Sequence, residues 1–82
     1  MQDAALMAYF KTNLKTLMLK KSVELNQRLN RGDISQATGL SLPTISRWYN
    51  GKVDRVESDT IKKLTTYFEC GFNDLVEYVA ED

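Results

Sequence analysis

Leu6, Phe10, Leu14, Leu17 and Met18 recur at three- and four-residue intervals, with mostly small or polar residues between them. That period puts all five on one face of a helix. It predicts a first helix over about residues 3–21, with Asp3 as N-cap and Lys20 and Lys21 in a last turn where the helix dipole favours cations. The pattern then blurs: Val23, Leu25 and Leu29 suit an extended connection over residues 22–30. Order returns at Asn30, an N-cap with Asp33 three residues later, which opens a second helix over 31–38. Gly39 ends it, because glycine accepts the left-handed conformation common just past a helix end. Ser41 caps a third helix over 42–50, and Pro43 falls in its first turn, where a missing N–H costs nothing. A charged turn over 52–56 follows. Glu57 or Ser58 caps a fourth helix over 58–69, with Ile61, Leu64, Thr65 and Phe68 on one face. Gly71 breaks that helix, and Asn73 caps a fifth over 74–80 with Leu75, Val76 and Val79 apolar. No segment strongly demands a strand. The expected fold is all-α, a compact bundle of about five helices.

Composition narrows the function classes. Eighty-two residues, 43% hydrophobic and 27% charged, suit one soluble domain with one modest core, so residues 1–82 are expected to form a single domain. There is no histidine, and Cys70 is the single cysteine. A Ser-His-Asp triad, a Cys-His pair, a Cys/His zinc site and an intramolecular disulfide framework are thereby excluded. The carboxylates show no spacing that suggests a metal site or a catalytic pair, so neither cofactor nor catalysis is expected. Cys70 reads as a small core residue. The apolar runs fall short of the ~20 residues that span a bilayer. Met1-Gln2-Asp3 lacks the basic region of a secretory signal, so the expected compartment is a reducing cytoplasm, with no membrane partner.

Net charge is zero and the pI is about 6.2, which by itself speaks against a nucleic-acid partner. The distribution reverses that. All 11 Lys and Arg lie between Lys11 and Lys63, a span holding Glu24, Asp33, Asp54, Glu57 and Asp59, so the middle carries six net positive charges and the ends six negative. The chain is a basic body with acidic ends.

Two short helices joined across a glycine-containing turn form a helix-turn-helix, here over residues 31–50. The second helix of such a pair lies in a DNA major groove with its early residues at base edges. Ile34 and Leu40 supply the apolar wedge between the two helices, and Ser35 is small enough for close contact. At about 100° per residue, Ser41, Ile45, Trp48 and Tyr49 fall on the core side of the third helix. Pro43, Arg47 and Asn50 fall outward, flanked by Leu42, Thr44 and Ser46. The outward face is neutral or basic and free of acids, as a helix among phosphates requires. Trp48 reads as structural; Lys20, Lys21, Arg28, Lys62 and Lys63 read as mainly solvated.

The run Thr38-Gly39-Leu40-Ser41-Leu42-Pro43-Thr44-Ile45-Ser46-Arg47-Trp48-Tyr49-Asn50-Gly51 resembles the core of the Cro and phage-repressor (xenobiotic-response-element) helix-turn-helix family. Leu14 to Met18 resembles the family's first helix, and Asp59 to Cys70 with Asp74-Leu75 its fourth and fifth. The resemblance covers about residues 14–78 and leaves residues 1–13 as an N-terminal extension. It implies a lambda-repressor-like DNA-binding domain that recognises operator sites in double-stranded DNA, encoded by a bacterium or phage and acting on nucleoid DNA. Carried over by position, Leu42, Pro43, Thr44, Ser46 and Arg47 read bases. Asn30, Arg31 and Asn50, with Lys52 and Arg55 nearby, touch phosphates. Arg47 suits a bidentate contact to guanine and Leu42 a thymine methyl. Thr44 and Ser46 suit either base or phosphate. Ser41 is foremost an N-cap that also reaches phosphate. Three departures stand out: Arg31 replaces a common glutamine, Ser35 a common alanine, and the link over 22–30 is long. The expected activity is transcriptional regulation, in the first instance repression, by a homodimer on paired half-sites. The alternative is an antitoxin or anti-repressor-like module that uses the same bundle to bind a protein partner.

Overall fold

The computed structural model describes residues 9–80. Its first element is a strand. Tyr9–Thr12 (β1) is aromatic or β-branched at three of four positions, a composition that fits a half-buried pleated surface. The first helix therefore does not run through it. α1 spans Leu14–Leu25 and buries Leu14, Leu17 and Met18. Phe10 keeps helical phase with Leu14 by coincidence; its partners lie across a sheet. The expected cap Asp3 and the apolar Leu6 lie outside the described residues.

α1 also runs further than its lysines suggest. It passes Lys20 and Lys21 and ends at Asn26, which takes the left-handed conformation (φ 52) that asparagine tolerates. The link to the next helix is thus residues 26–30, not 22–30. Lys21 is not simply solvated: its Nζ donates to the Tyr67 carbonyl at 3.0 Å and lies 4.6 Å from that ring's centroid. α2 (Arg31–Thr38) and α3 (Leu42–Tyr49) follow. α4 (Ser58–Phe68) buries Thr60 and Leu64, with an exposed Lys63–Asp59 ion pair at 3.0 Å.

The fifth helix is a single turn. α5 covers Phe72–Leu75, and its entry is set by Gly71, whose N–H donates to Asp74 Oδ2 at 3.0 Å, so Asn73 is not the cap. At Val76 the backbone becomes extended (φ −144, ψ 144) and Val76–Val79 forms β3. Lys52–Val53, expected as turn, forms the short β2.

These strands make one antiparallel sheet in the order β2-β1-β3, so the fold is not strictly all-α. Phe10 lies opposite Val53 on one side and Tyr78 on the other, and Thr12 lies opposite Val76. Alternation puts Thr12, Val53 and Val76 on the inner face, where all three are buried. They complete the core of Leu14, Leu17, Met18, Ile34, Leu40, Ile45, Trp48, Leu64 and Leu75. Phe10 and Tyr78 continue that face past the core and meet edge-on with centroids 5.6 Å apart.

Thr12 and Asn13 fasten the sheet to the helices. The Thr12 N–H donates to the Gly51 carbonyl at 2.9 Å, and its hydroxyl donates to the Trp48 carbonyl. The Asn13 N–H donates to the Leu75 carbonyl at 2.8 Å, and its Nδ2 donates to Glu77 Oε2 and the Asp74 carbonyl, both at 3.2 Å. Cys70 is half-buried and packs against the core. Burial first, then the Asp74 carboxylate, push its thiol pKa up, with Lys20 opposing.

Two outcomes follow from this packing. Thr12→Val keeps the shape but removes the hydroxyl, leaving the Trp48 carbonyl only its backbone donor; urea unfolding is expected to show a loss of about 1 kcal/mol. The folded state also holds the Cys70 proton more tightly than the unfolded chain does. Its contribution to stability is therefore expected to decline as pH rises through the ordinary thiol range, and alkylation at neutral pH to run slower than for a free cysteine.

Candidate nucleic-acid interface

The unit over residues 31–50 is built from local hydrogen bonds that its sequence dictates. Asn30 and Asp33 cap α2 reciprocally: the Asp33 N–H donates to Asn30 Oδ1 and the Asn30 N–H donates to Asp33 Oδ2, both at 2.9 Å. Gly39 ends α2 at φ 80, and its N–H donates to the Ser35 carbonyl at 2.9 Å. Ser35 does more than fit. Its hydroxyl crosses the turn and donates to the Leu40 carbonyl at 2.6 Å. The Leu40 N–H in turn donates to Thr38 Oγ1 at 3.2 Å. Ile34 and Leu40 are buried as the wedge. The Thr44 N–H donates to Ser41 Oγ at 3.3 Å, which makes Ser41 the cap of α3. The angle between α2 and α3 is thus fixed from both ends of a three-residue turn.

That angle leaves one face of α3 outward. Ile45 and Trp48 are buried, the latter 2% exposed, so the tryptophan is structural. Leu42, Pro43, Arg47 and Asn50 are exposed, and Thr44 and Ser46 are half-buried at the flanks. Leu42 is 48% exposed at the first position of α3, while Ile45 and Trp48 of the same helix are buried. Arg31, Lys52 and Arg55 are exposed on neighbouring segments. Arg47, Lys52 and Arg55 share a shallow cleft with Asp54 and Glu57, where the cations outnumber the acids. None of these cations is in an ion pair among the described residues. Asn30 has committed its side-chain oxygen and its N–H to the cap, leaving its amide NH₂ for a further partner.

Two residues join this surface that the sequence pattern did not single out. Tyr49, assigned to the core side, does pack against the core, but it is only half-buried, and two cations lie by its ring. The Arg31 guanidinium lies 5.2 Å from the ring centroid and Lys15 Nζ lies 5.7 Å from it. Stacking of this kind holds a cation in place without neutralising it. Lys15, Arg31 and Tyr49 come from three different helices, so no spacing along the chain could have grouped them. The phenol of Tyr67 lies under α2 instead, its pKa raised by burial and then by Asp33.

Among the described residues no helix is long and apolar enough to cross a membrane, and no group of three or more His, Cys, Asp or Glu is placed to hold a metal ion. Residues 13–81 match the family model of the Cro/C1-type HTH DNA-binding domain, and the chain belongs to that family. No curated protein and no solved structure gives a significant match. The family membership and the geometry define a helix-turn-helix DNA-binding regulator, with α3 as the second helix of its motif.

The turn offers a direct check. A Cβ at Gly39 would meet nothing within 4 Å, so Gly39→Ala tests the left-handed backbone alone. Urea denaturation of the variant is expected to show a loss of about 1–2 kcal/mol.

Proposed function

We propose that the protein is a sequence-specific transcriptional regulator that acts by occupying an operator in double-stranded DNA, as a repressor and without chemistry. The exposed face of α3 carries this reading: an exposed Arg47 with no ion pair among the described residues, a solvent-facing Leu42 and a Pro43 that keeps the first turn rigid. In it, Leu42, Pro43, Thr44, Ser46 and Arg47 face base edges. Asn30, Arg31, Ser41, Asn50, Lys52 and Arg55 hold the sugar-phosphate backbone. Tyr49 positions Arg31 for that role. The protein works in the cytoplasm, on nucleoid DNA.

A helix of eight residues covers only a few base pairs, so a homodimer on half-sites about one helical turn apart is the form that gains useful affinity. β3 is an outer strand of the sheet, and an outer strand offers its unpaired backbone groups to a second chain.

One observation favours a second reading, the protein-binding antitoxin or anti-repressor-like module. Leu19 and Val23, four residues apart on α1, are 62% and 81% exposed. A partner protein seated there is compatible with DNA held on α3.

Selection of bound sequences from random duplex DNA separates the readings. The wild-type chain is expected to enrich a motif, with affinity that falls steeply as salt rises. Arg47→Ala is expected to lose discrimination at one base pair, worth about 1–3 kcal/mol. Failure of the wild type to enrich any motif would leave only the protein-binding reading. An unchanged motif with Arg47→Ala would remove Arg47 from the base-reading set.

A further inference from the structure

The outer face of the sheet carries an arrangement that folding alone disfavours. Lys11 of β1 and Lys52 of β2 are directly opposite each other, and both are exposed. Like charges on residues paired in that way, with Cβ atoms about 5 Å apart, repel and destabilise a strand pair. Lys52 Nζ lies 4.6 Å from the Tyr9 ring centroid, which seats the ammonium and keeps its charge. Glu77, opposite Lys11 on the other side, accepts at Oε2 from the neutral Asn13 Nδ2 at 3.2 Å and keeps its charge, so it offsets part of the repulsion on Lys11 and none on Lys52. Neither lysine is in an ion pair among the described residues.

The pair is continuous with α3. Lys52 follows the helix end by way of Gly51 and lines the same cleft as Arg47 and Arg55. The Thr12 N–H to Gly51 carbonyl bond clamps β1 against that junction. A basic strip thus runs from the outward face of α3 through Lys52 to Lys11.

We infer that Lys11 and Lys52 form a backbone clamp on the DNA: a phosphate beside the groove that α3 enters sits between the two ammonium groups, and Tyr9 holds Lys52 toward it. The inference rests on the DNA-reading function proposed above and deepens it. It extends the footprint to the sheet and assigns a role to residues ahead of the helix-turn-helix. The clamp contributes affinity and register but no base preference, because a phosphate carries no sequence information. A bound phosphate also relieves the repulsion, so the pair destabilises the free protein and stabilises the complex.

The test uses the full chain and the duplex that the wild type enriches. Lys11→Gln is expected to lower the slope of log affinity against log salt by about 0.9, roughly an eightfold affinity loss at about 0.1 M salt, and to leave the enriched motif unchanged. The thermal midpoint of Lys11→Gln without DNA is expected not to fall, since losing the Lys52 repulsion offsets losing the Glu77 attraction. Lys20→Gln removes the same charge from α1, beside Cys70 and outside the cleft of Arg47, Lys52 and Arg55, and is expected to leave the slope unchanged. An unchanged slope in Lys11→Gln overturns the clamp and leaves the α3 reading intact. So does an equal drop in both variants, which would mark general attraction, or a lowered midpoint, which would mark a structural lysine. A wild type without salt-dependent duplex binding overturns both.

Discussion

Thr12 holds three parts of the molecule at one point. Its N–H and hydroxyl bond carbonyls at the end of α3, its strand pairs with β2 and β3, and the next residue begins the approach to α1 while donating to Leu75. The C-terminal end of a helix leaves carbonyl groups without intrahelical partners, and burying them unpaired is expensive. In this protein the carbonyls at residues 48 and 51 find their donors on β1. The consequence is mechanical. α3 is gripped at its C-terminal end by a sheet and at its N-terminal end by the Ser35–Leu40 turn, so its outward face is presented on a rigid frame.

The charges follow the same frame. Arg31 and Lys15 stack on Tyr49 at one side of α3, and Lys52 stacks on Tyr9 at the other. An aromatic ring can hold a cation at an exposed site with about 0.5–1 kcal/mol, enough to bias its position and too little to quench it. An acidic partner would hold each cation more firmly and spend its charge. The protein reserves its exposed ion pair, Lys63–Asp59, for α4. A chain with zero net charge can present a basic surface because the outward face of α3 carries Arg47 and no acid, and the cleft beside it holds more cations than acids.

The helix-turn-helix was legible in the sequence because its determinants are local. Asn30 with Asp33, Gly39, and Ser41 with Pro43 each act within three or four residues, and each appears in the structure at its expected place. The burial of Ile45 and Trp48 followed from helical phase in the same way. The sheet was not legible. Its strands are four, two and four residues long, too short for a period, and they form only by pairing segments about 40 to 70 residues apart. Val76, Tyr78 and Val79 carried a strand composition, but the helical start at Asp74 masked it. The long link was a boundary error: Val23 and Leu25, which suit an extended connection, are exposed residues of a longer α1. The cation seats on Tyr49 and Tyr9 depend on all of this and lay beyond any pattern in one chain. The DNA contacts assigned to individual residues rest on the family resemblance and the exposed face.

The pairing of β1 with β3 also has a meaning during synthesis. β1, which anchors α3, emerges from the ribosome before α2 and α3, and β3, which completes its sheet, emerges after them. Local helices can form as they emerge, but contacts of such long range close late. A nascent chain that already displays α2 and α3 still lacks the Leu75 carbonyl for Asn13 and the whole of β3. α3 is loosely mounted until β3 has emerged. The fold thereby couples the firm mounting of α3 to the synthesis of β3, and a fragment that stops short of β3 lacks that mounting.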